Sequence, residues 1–393
     1  MSHAVNPSGV GIAYRFCLHR QIMSYASDID LLEIPTEDYI VRSRRMMVDP
    51  QLNLLNEAVD RIPCVAHGIH MSIGSVEPFD QPYLDSTLAF LQQTGIDVFS
   101  EHLTFHRMNN VDLETFLPMP FTEESADWVA QKYNVASDFL GRPFALENVS
   151  YFFPVPDCTL SESEFLIRLL EKTDCSLLLD VTNVFNNATN HGYDAEQFIK
   201  SLPGNRISQI HLAGGRFVDN MWIDDHSSAV MPGVWPLLEL ALEHTAAQIV
   251  ILERDANFDP FDAVLDDIRQ ARQLFRKHRT MPVGASPVKR DLNQPADKLE
   301  QPDVQHLPDG GDFDALRQFQ IGLLHEITLR DELANQDSVG REPEWQHRIA
   351  NCDPERLKML KRKWEKVESR AQAEQKEYQN REWQLWRQSL NMR

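Results

Sequence analysis

Short apolar runs alternate with segments of helical periodicity through the first two thirds of the chain. Eight runs have the length and apolar content of buried strands: residues 10–13, 30–34, 64–70, 98–103, 144–149, 177–181, 207–212 and 249–252. Helix start signals lie between them, such as the capping-box sequence Ser161-Glu-Ser-Glu164. Eight alternations of strand and helix predict an α/β fold, either a (β/α)8 TIM barrel or a doubly wound sheet.

Polar side chains end nearly every one of these apolar runs. In the clearest case, three leucines at 177–179 lead into Asp180, and Asn183 and His191 follow. The same arrangement recurs elsewhere with His67, His102, Glu147, His211 and Glu253, and with Asp224 and His226 in the loop after the seventh strand. A doubly wound sheet collects its ligands at one switch point, whereas a barrel uses the ends of many strands. The pattern therefore favours the barrel.

These residue types indicate metal binding. Buried unpaired charges cost several kcal/mol each, and metal ions are the usual way to offset that cost. Imidazole mixed with carboxylate and amide, without thiolate, suits iron, manganese, magnesium or hydrolytic zinc more than structural zinc. A hydrogen-bonded core residue remains the alternative for any single histidine. The histidines and carboxylates together are too many ligands for one ion. They predict two metal sites bridged by a carboxylate such as Glu147, and they allow a third site.

Asp255 lies two residues after Glu253, so strand alternation predicts that both face the same side. We expect Asp255 to act as a catalytic proton acceptor or as a residue that orients groups around the substrate.

The charge, the length of the apolar runs and the cysteines limit the kinds of partner that the protein can bind. The net charge of −21 lies almost wholly before residue 279, and such a surface repels phosphates, which excludes nucleic acid as a partner. No apolar run approaches the ~20 residues that span a bilayer, and the N-terminus has no signal-peptide pattern. The five cysteines form no CxxC pair, which is typical of reduced thiols. We expect a cytoplasmic protein without a membrane partner.

The chain divides into three parts by composition. Residues 1–278 are the predicted barrel, residues 279–312 form a proline-rich linker, and residues 313–393 are a helical C-terminal extension. The extension holds four of the seven tryptophans: Trp345, Trp364, Trp383 and Trp386. It is either a solvated helical hairpin that packs on the barrel or a module for peptide or partner recognition.

Motifs across residues 9–275 resemble the DUF692 (UPF0276) family, the multinuclear non-haem iron-dependent oxidative enzymes related to the methanobactin biosynthesis oxidase. Among the matching stretches are Leu32-Glu-Ile-Pro-Thr-Glu-Asp-Tyr39, His67-Gly-Ile-His-Met-Ser-Ile-Gly-Ser75, Leu146-Glu-Asn-Val-Ser150, Ile223-Asp-Asp-His226 and Ile251-Leu-Glu-Arg-Asp255. The resemblance implies a xylose isomerase-like TIM barrel with two or three iron ions of mixed valence. By motif match, the ligands would be His67, His102, Glu147, Asp180, His211, Asp224, His226 and Glu253, with Asn183 and His191 as further members.

The resemblance also implies a reaction and its partners. Family members use O2 to oxidise a ribosomally synthesised precursor peptide, at cysteine or, in some members, at Asp or Asn. A small partner protein usually presents the peptide. Two positions depart from the family pattern, since Thr182 stands where an asparagine is usual and Gly215 where a histidine is usual. Neither lies in the core ligand set, so the reaction outcome is affected more than metal binding.

Two other functions fit a barrel with this ring of ligands. A divalent-metal sugar isomerase or phosphodiesterase would need a catalytic lysine or a basic phosphate-binding cluster. The strand-end motifs contain only two basic residues, Arg216 and Arg254. A catalytically inactive barrel that serves as a binding module is the third hypothesis, and the intact ligand positions argue against it.

Overall fold

The computed structural model describes residues 7–43, 50–108, 111–218, 220–258 and 260–279, together with residues 313, 315–321 and 323. Most of the predicted linker (279–312) and most of the predicted extension (313–393), including its four tryptophans, lie outside the described residues. Among the described residues, no helix is long and apolar enough to cross a membrane.

Eight parallel strands close into a barrel. In chain order, the strands of the described residues are β1 (Gly9–Ala13), β2 (Leu32–Pro35), β3 (Cys64–Gly68), β4 (Phe99–His102), β5 (Phe105–Met108), β6 (Val111–Leu117), β7 (Ala145–Glu147), β8 (Ser176–Asp180), β9 (Ile207–Ala213), β10 (Arg216–Val218), β11 (Met221–Ile223) and β12 (Ile249–Glu253). The barrel order is β1-β12-β9-β8-β7-β4-β3-β2. The predicted (β/α)8 barrel is confirmed, and every predicted strand overlaps an observed barrel strand.

Helices cover the outside of the barrel. They are α1 (His19–Ser24), α2 (Glu37–Ser43), α3 (Pro50–Val59), α4 (Gln81–Thr94), α5 (Glu123–Leu140), α6 (Glu162–Lys172), α7 (Val181–His191), α8 (Ala195–Ser201), α9 (Val234–His244) and α10 (Phe261–His278), with short 3-10 turns at Phe16–Leu18 and Gly204–Arg206. The predicted capping box is present, because Ser161 and Glu164 exchange side-chain and backbone hydrogen bonds at the start of α6.

Two antiparallel hairpins, which the sequence analysis did not predict, extend the mouth of the barrel. The β5–β6 hairpin follows β4, and the β10–β11 hairpin follows β9. Each begins shortly after the carboxyl end of a barrel strand, where active sites of such barrels lie. The two hairpins therefore stand next to the predicted ligands.

Strand alternation divides the barrel interior into two layers. Leu31, Val65, Ile249 and Ile251 belong to one small buried apolar cluster. Two residues further along their strands, on the same inward face, come Glu33, His67 and Glu253. The interior is thus packed with aliphatic side chains at the amino end and with ionisable side chains at the carboxyl end.

The described part of the C-terminal extension packs on the barrel. Residues 315–321 are helical, and Phe313 and Leu316 form an apolar cluster with Trp128 of α5 and Val76. The ring centroids of Trp128 and Phe313 lie 4.8 Å apart. We call residues 313, 315–321 and 323 the tail segment.

These contacts predict the behaviour of a chain that ends at Arg279. The barrel is closed and α10 is complete without the tail segment, so the shortened chain should fold and keep its barrel. Loss of the Phe313 and Leu316 contacts uncovers Trp128, and a buried side chain of this size contributes about 1.5–3 kcal/mol. We expect the Tm from circular dichroism to fall by several degrees. If the shortened chain did not fold, the barrel would depend on the tail segment. If its Tm were unchanged, the tail segment would not stabilise the barrel.

Candidate metal centre

The predicted ligands on barrel strands converge inside the carboxyl end of the barrel. They are His67 on β3, His102 on β4, Glu147 on β7, Asp180 on β8, His211 on β9 and Glu253 on β12. The register of neighbouring strands sets His102 beside Glu147 and Asp180 beside His211. Except for the half-buried His102, these side chains are buried. Lateral strand pairing assembles residues that are far apart in the chain.

Glu147 is shared by two groups of candidate ligands. One group is His67, His102 and Glu147, and the other is Glu147, Asp180, His211 and Glu253; within each group the ligand atoms lie within 4.8 Å of one another. Oε2 of Glu147 lies 3.2 Å from His67 Nε2 and 3.4 Å from His102 Nε2. Its Oε1 lies 3.4 Å from His211 Nδ1. The two oxygens thus face different groups, as a bridging carboxylate requires.

Asp224 and His226 extend the cluster from the loop after β11. His226 Nε2 lies 3.1 Å from Asp224 Oδ1 and 3.7 Å from Glu253 Oε2. Glu253 in turn lies 3.2 Å from His211 Nδ1. This loop places a third set of candidate ligand atoms next to the second group. The sequence analysis allowed for a third metal site in addition to the two that it predicted.

Buried atoms without partners test whether a metal fits. Six atoms of the cluster are buried and accept or donate no hydrogen bond: His67 Nε2, Glu147 Oε2, Asp180 Oδ2, His211 Nδ1, Asp224 Oδ1 and His226 Nε2. Several of these atoms face a charged group of the cluster at 3.1–3.4 Å, but a buried polar atom without a hydrogen bond costs about 1–3 kcal/mol. Imidazole nitrogens and carboxylate oxygens suit iron, manganese or catalytic zinc. The residues fit two metal ions that share Glu147, and Asp224 with His226 would serve a third.

The shifted pKa values describe the charge balance of the cluster. Burial lowers the pKa of His67, but the carboxylates of Glu33 and Glu147 outweigh this effect and raise it to about 9. Burial and the nearby carboxylates of Asp224, Glu147 and Glu253 raise the pKa of Asp180 well above its usual value. The cluster therefore retains protons at neutral pH that a metal cation has to displace.

His67 and His102 are each held by a neutral group on the side away from Glu147. His67 Nδ1 lies 2.8 Å from Ser100 Oγ, and His102 Nδ1 lies 3.0 Å from the carbonyl oxygen of Gly68. A donor role of Nδ1–H toward Gly68 leaves the Nε2 lone pair of His102 directed at the cluster. Both rings are therefore oriented to coordinate through Nε2.

His211 and His226 are held by carboxylates instead. His211 Nε2 lies 2.8 Å from Glu33 Oε2, which leaves Nδ1 to face the cluster. His226 Nδ1 lies 3.0 Å from Asp255 Oδ2, which leaves Nε2 to face the cluster. A carboxylate behind a ligating imidazole fixes its tautomer and makes it a stronger donor. The histidines on the two sides of Glu147 thus differ in donor strength.

Asp255 is paired on both of its oxygens. Arg15 contacts Oδ1 through Nε at 2.8 Å and Nη2 at 2.6 Å, while Oδ2 faces His226. Burial opposes ionisation, but Arg15 and His226 hold the pKa of Asp255 well below its usual value. Of the two roles expected for Asp255, these contacts favour orientation of His226 over acceptance of a proton.

Asn183 and His191, both expected among the ligands, lie on α7, and each has a side-chain nitrogen within hydrogen-bond distance of a backbone carbonyl oxygen. Asp180 is the N-cap of α7, so Asn183 already lies in the first helical turn. Its side-chain nitrogen donates to the Asn148 carbonyl oxygen at 3.1 Å. His191 ends the same helix, and its Nε2 lies 2.8 Å from the Tyr151 carbonyl oxygen. Their assignment as ligands stays a prediction, and the backbone nitrogen of Asn183 donates at 2.8 Å to Oδ1 of Asp180, itself a candidate ligand.

The two departures from the family pattern have structural counterparts. Thr182 Oγ1 accepts a hydrogen bond from Ala213 N at 2.8 Å and so ties the start of α7 to the end of β9. At Gly215 a Cβ atom would lie 2.5 Å from the Ile223 carbonyl oxygen. A histidine at position 215 would therefore require the β10–β11 hairpin to move.

Glu33 and Arg15 were missed as supporting residues of the site. Glu33 is 1% exposed on a strand in which its neighbours are apolar. A carboxylate in the middle of a buried strand is a signal that the sequence did contain. Arg15 follows β1 without any comparable signal.

Comparisons with known proteins show the family of the chain. The family described as RiPP precursor modification enzyme MbnB/TglH/ChrH matches residues 9–276. The chain is 33% identical over 250 residues to a UPF0276 protein of Rhizorhabdus wittichii, covering 64% of this chain and 88% of that protein. It is 34% identical over 278 residues to a UPF0276 protein of Shewanella loihica, covering 69% of this chain and 97% of that protein. The predicted UPF0276 resemblance is confirmed.

Solved structures with similar folds include sugar epimerases. A D-psicose 3-epimerase crystallised in the presence of D-fructose has 14% identity and a TM-score of 0.46, covering 69% of this chain and 99% of that one. A D-tagatose 3-epimerase-like protein has 13% identity and a TM-score of 0.45, covering 68% and 98%.

The shared position of Glu147 predicts a loss of metal from both groups when it is replaced. Glu147→Gln removes the bridging charge, so we expect the metal bound per chain to fall by half or more. Glu162→Gln, the same change at a carboxylate that pairs with Tyr151 outside the cluster, is the matched control and should retain the full metal content. Elemental analysis of both variants, with circular dichroism to check folding, measures this. Equal metal content in the two variants would contradict the bridge.

The raised histidine pKa values predict that metal binding releases protons. With a pKa of about 9, His67 is protonated at pH 7 in the metal-free protein, whereas a metal binds only the neutral ring. The apparent affinity for Zn²⁺ should therefore rise as the pH increases from 7 toward 9. Calorimetric titration in two buffers of different ionisation enthalpy measures the protons released. An affinity for Zn²⁺ that falls as the pH rises from 7 to 9 would contradict the release of protons on metal binding.

Proposed function

The chain belongs to the RiPP precursor modification enzyme family MbnB/TglH/ChrH, and from this premise we propose that it is an iron- and O2-dependent enzyme that oxidises a ribosomally synthesised precursor peptide. Cysteine is the proposed target, with Asp or Asn as the second choice. The observation that carries the proposal is the position of Glu147 between two groups of nitrogen and oxygen ligands. Such a centre suits two iron ions, with a third at Asp224 and His226.

The mouth of the barrel supports a peptide substrate. Phe116 on the β5–β6 hairpin and Phe217 on the β10–β11 hairpin are 37% and 54% exposed. Phe116 also stacks on the His102 ring, with centroids 4.4 Å apart. Exposed aromatic side chains beside a polar centre are typical of surfaces that bind peptides.

The residues of this chain have separable roles in the proposal. When bound, iron supplies one-electron redox chemistry with O2 and a place for a cysteine thiolate. Glu147 would hold a metal ion on each side of its carboxylate. Ser100 fixes the orientation of the His67 ring, and Glu33 fixes that of the His211 ring. Asp255, neutralised by Arg15, keeps His226 Nε2 directed at the cluster. Phe116 limits the access of water to His102.

A sugar isomerase or phosphodiesterase is less well supported. Arg216 pairs with Asp225, Arg15 pairs with Asp255, and Arg254 donates to the backbone of Ala256 and Asn257. These three arginines near the mouth are thus engaged by the protein itself, which leaves little cationic help for a phosphate. The unpaired ligand atoms likewise disfavour an inactive barrel.

Partners and location complete the proposal. A small partner protein is proposed to present the precursor peptide, as the family resemblance implies. A cytoplasmic location is proposed from the cysteines, because the four that the structure describes, Cys17, Cys64, Cys158 and Cys175, form no disulfide.

The choice of metal tests the oxidative function. Protein loaded anaerobically with Fe²⁺ should change the mass of a cysteine-containing peptide, encoded beside its gene, only after O2 is admitted. Protein loaded with Zn²⁺ is the control, because zinc has no redox chemistry. Mass spectrometry of the peptide and Mössbauer spectra of the protein measure the outcome. If the zinc-loaded protein gave the same amount of product without O2, the reaction would be a hydrolysis or an isomerisation and the proposed oxidation would be wrong.

A further inference from the structure

The loop between β3 and α4 connects the barrel to the β5–β6 hairpin. Ser72 has a φ of +51°, which is uncommon for a residue other than glycine. Its Oγ accepts hydrogen bonds from the backbone nitrogens of His106 at 3.0 Å and Arg107 at 3.2 Å. Ser75 Oγ donates to the Arg107 carbonyl oxygen at 2.8 Å. This loop therefore sets the position of β5.

The hairpin carries that position to the candidate metal centre. Phe105 of β5 pairs with Leu117 of β6. The residue before Leu117 is Phe116, whose ring stacks on His102 at an interplanar angle of 20°. A shift of the loop would thus be transmitted through two paired strands to the aromatic cover of a predicted ligand.

Two buried side chains hold the backbone of this loop. Lys132 Nζ, from α5, donates to the carbonyl oxygens of Ser75 and Glu77, each at 2.9 Å. Gln320, from the tail segment, is fully buried. Its Nε2 donates to the Gly74 carbonyl oxygen at 2.6 Å, and its Oε1 accepts from Val76 N at 2.9 Å. One glutamine amide thus satisfies both a donor and an acceptor of the loop.

The contact with Gln320 is outside the region shared with the family. The family match ends at residue 276, whereas Lys132 lies within it. Further contacts fix the tail segment beside the loop, since Leu316 N donates to Glu124 Oε1 at 3.2 Å and Phe313 packs on Trp128. The tail segment is thus a part of this chain that reaches the mouth of the barrel from outside the shared domain.

We propose that Gln320 is a positioning residue, which holds the β3–α4 loop and, through it, places the β5–β6 hairpin with Phe116 over the candidate metal centre. The C-terminal extension thereby controls access to the centre. The part that concerns access rests on the proposed function, because it requires a bound metal. The part that concerns the hairpin does not.

Hydrogen exchange of the full-length, metal-free protein tests the hairpin. Gln320→Ala leaves Val76 N and the Gly74 carbonyl without partners, so exchange should become roughly tenfold faster at Val76, in β5 and in β6. Gln318→Ala, an exposed change of the same type on the same helix, should match the unmodified protein. Faster exchange confined to the tail segment and Val76 would overturn the proposal, because Gln320 would then only anchor the tail.

A second variant separates positioning from folding. Gln320→Met keeps most of the side-chain volume and the packing of the tail segment but removes both hydrogen bonds to the loop, so it should raise exchange in β5 and β6 without leaving a cavity. It also decides the question if Gln320→Ala fails to fold. Exchange in β5 and β6 that equals the Gln318→Ala control in both variants would overturn the proposal.

Metal release measures access directly. Full-length protein loaded with Zn²⁺ is mixed with excess coloured chelator, and Gln320→Ala should release zinc severalfold faster than Gln318→Ala. Equal release rates with faster hairpin exchange would overturn control of access while leaving the positioning of the hairpin intact. If neither protein binds zinc, the metal centre itself is wrong, and the exchange experiment still decides the role of Gln320.

Discussion

The shared carboxylate of Glu147 is the contact on which the carboxyl end of this barrel depends. It is 2% exposed and lies within 3.4 Å of nitrogens from three histidines on three different strands. A buried carboxylate cannot be solvated there, so protons or metal ions have to balance its charge. The closed barrel supplies the rigid frame that keeps these groups together, although they are removed from water and the carboxylates repel one another.

The residues behind the ligands matter as much as the ligands. Each histidine of the cluster has one ring nitrogen engaged by an outer partner, and the other nitrogen faces the cluster. Neutral partners lie behind His67 and His102, whereas the carboxylates of Glu33 and Asp255 lie behind His211 and His226. The two sides of Glu147 therefore offer a metal different electron donation, which is a physical basis for two unequal sites.

The mouth of the barrel is shaped by parts that the barrel does not need for closure. The hairpins after β4 and β9 add exposed aromatic side chains, and the tail segment buries Gln320 against the loop that supports the first hairpin. Because these contacts lie beyond the barrel strands, a change in them would leave the strands and the candidate ligands in place.

The alternation of apolar runs and helix signals was enough to predict an α/β fold, and the polar residues at nearly every strand end then favoured the barrel over a doubly wound sheet. Residue type and position at strand ends identified six side chains that converge, from His67 to Glu253, and Asp224 and His226 were identified in the loop after the seventh strand. The pattern did not indicate that α7 begins directly after Asp180, so the assignment of Asn183 and His191 as ligands stays a prediction.

Only the tertiary structure revealed the partners that come from distant segments. Glu33 lies 178 residues from His211, Arg15 lies 240 residues from Asp255, and Gln320 lies 244 residues from Val76. Periodicity reports which face of a strand or helix is buried, but it carries no information about which other segment lies against that face. Closure of the barrel and docking of the tail decide those pairings, because they depend on the packing of the whole chain.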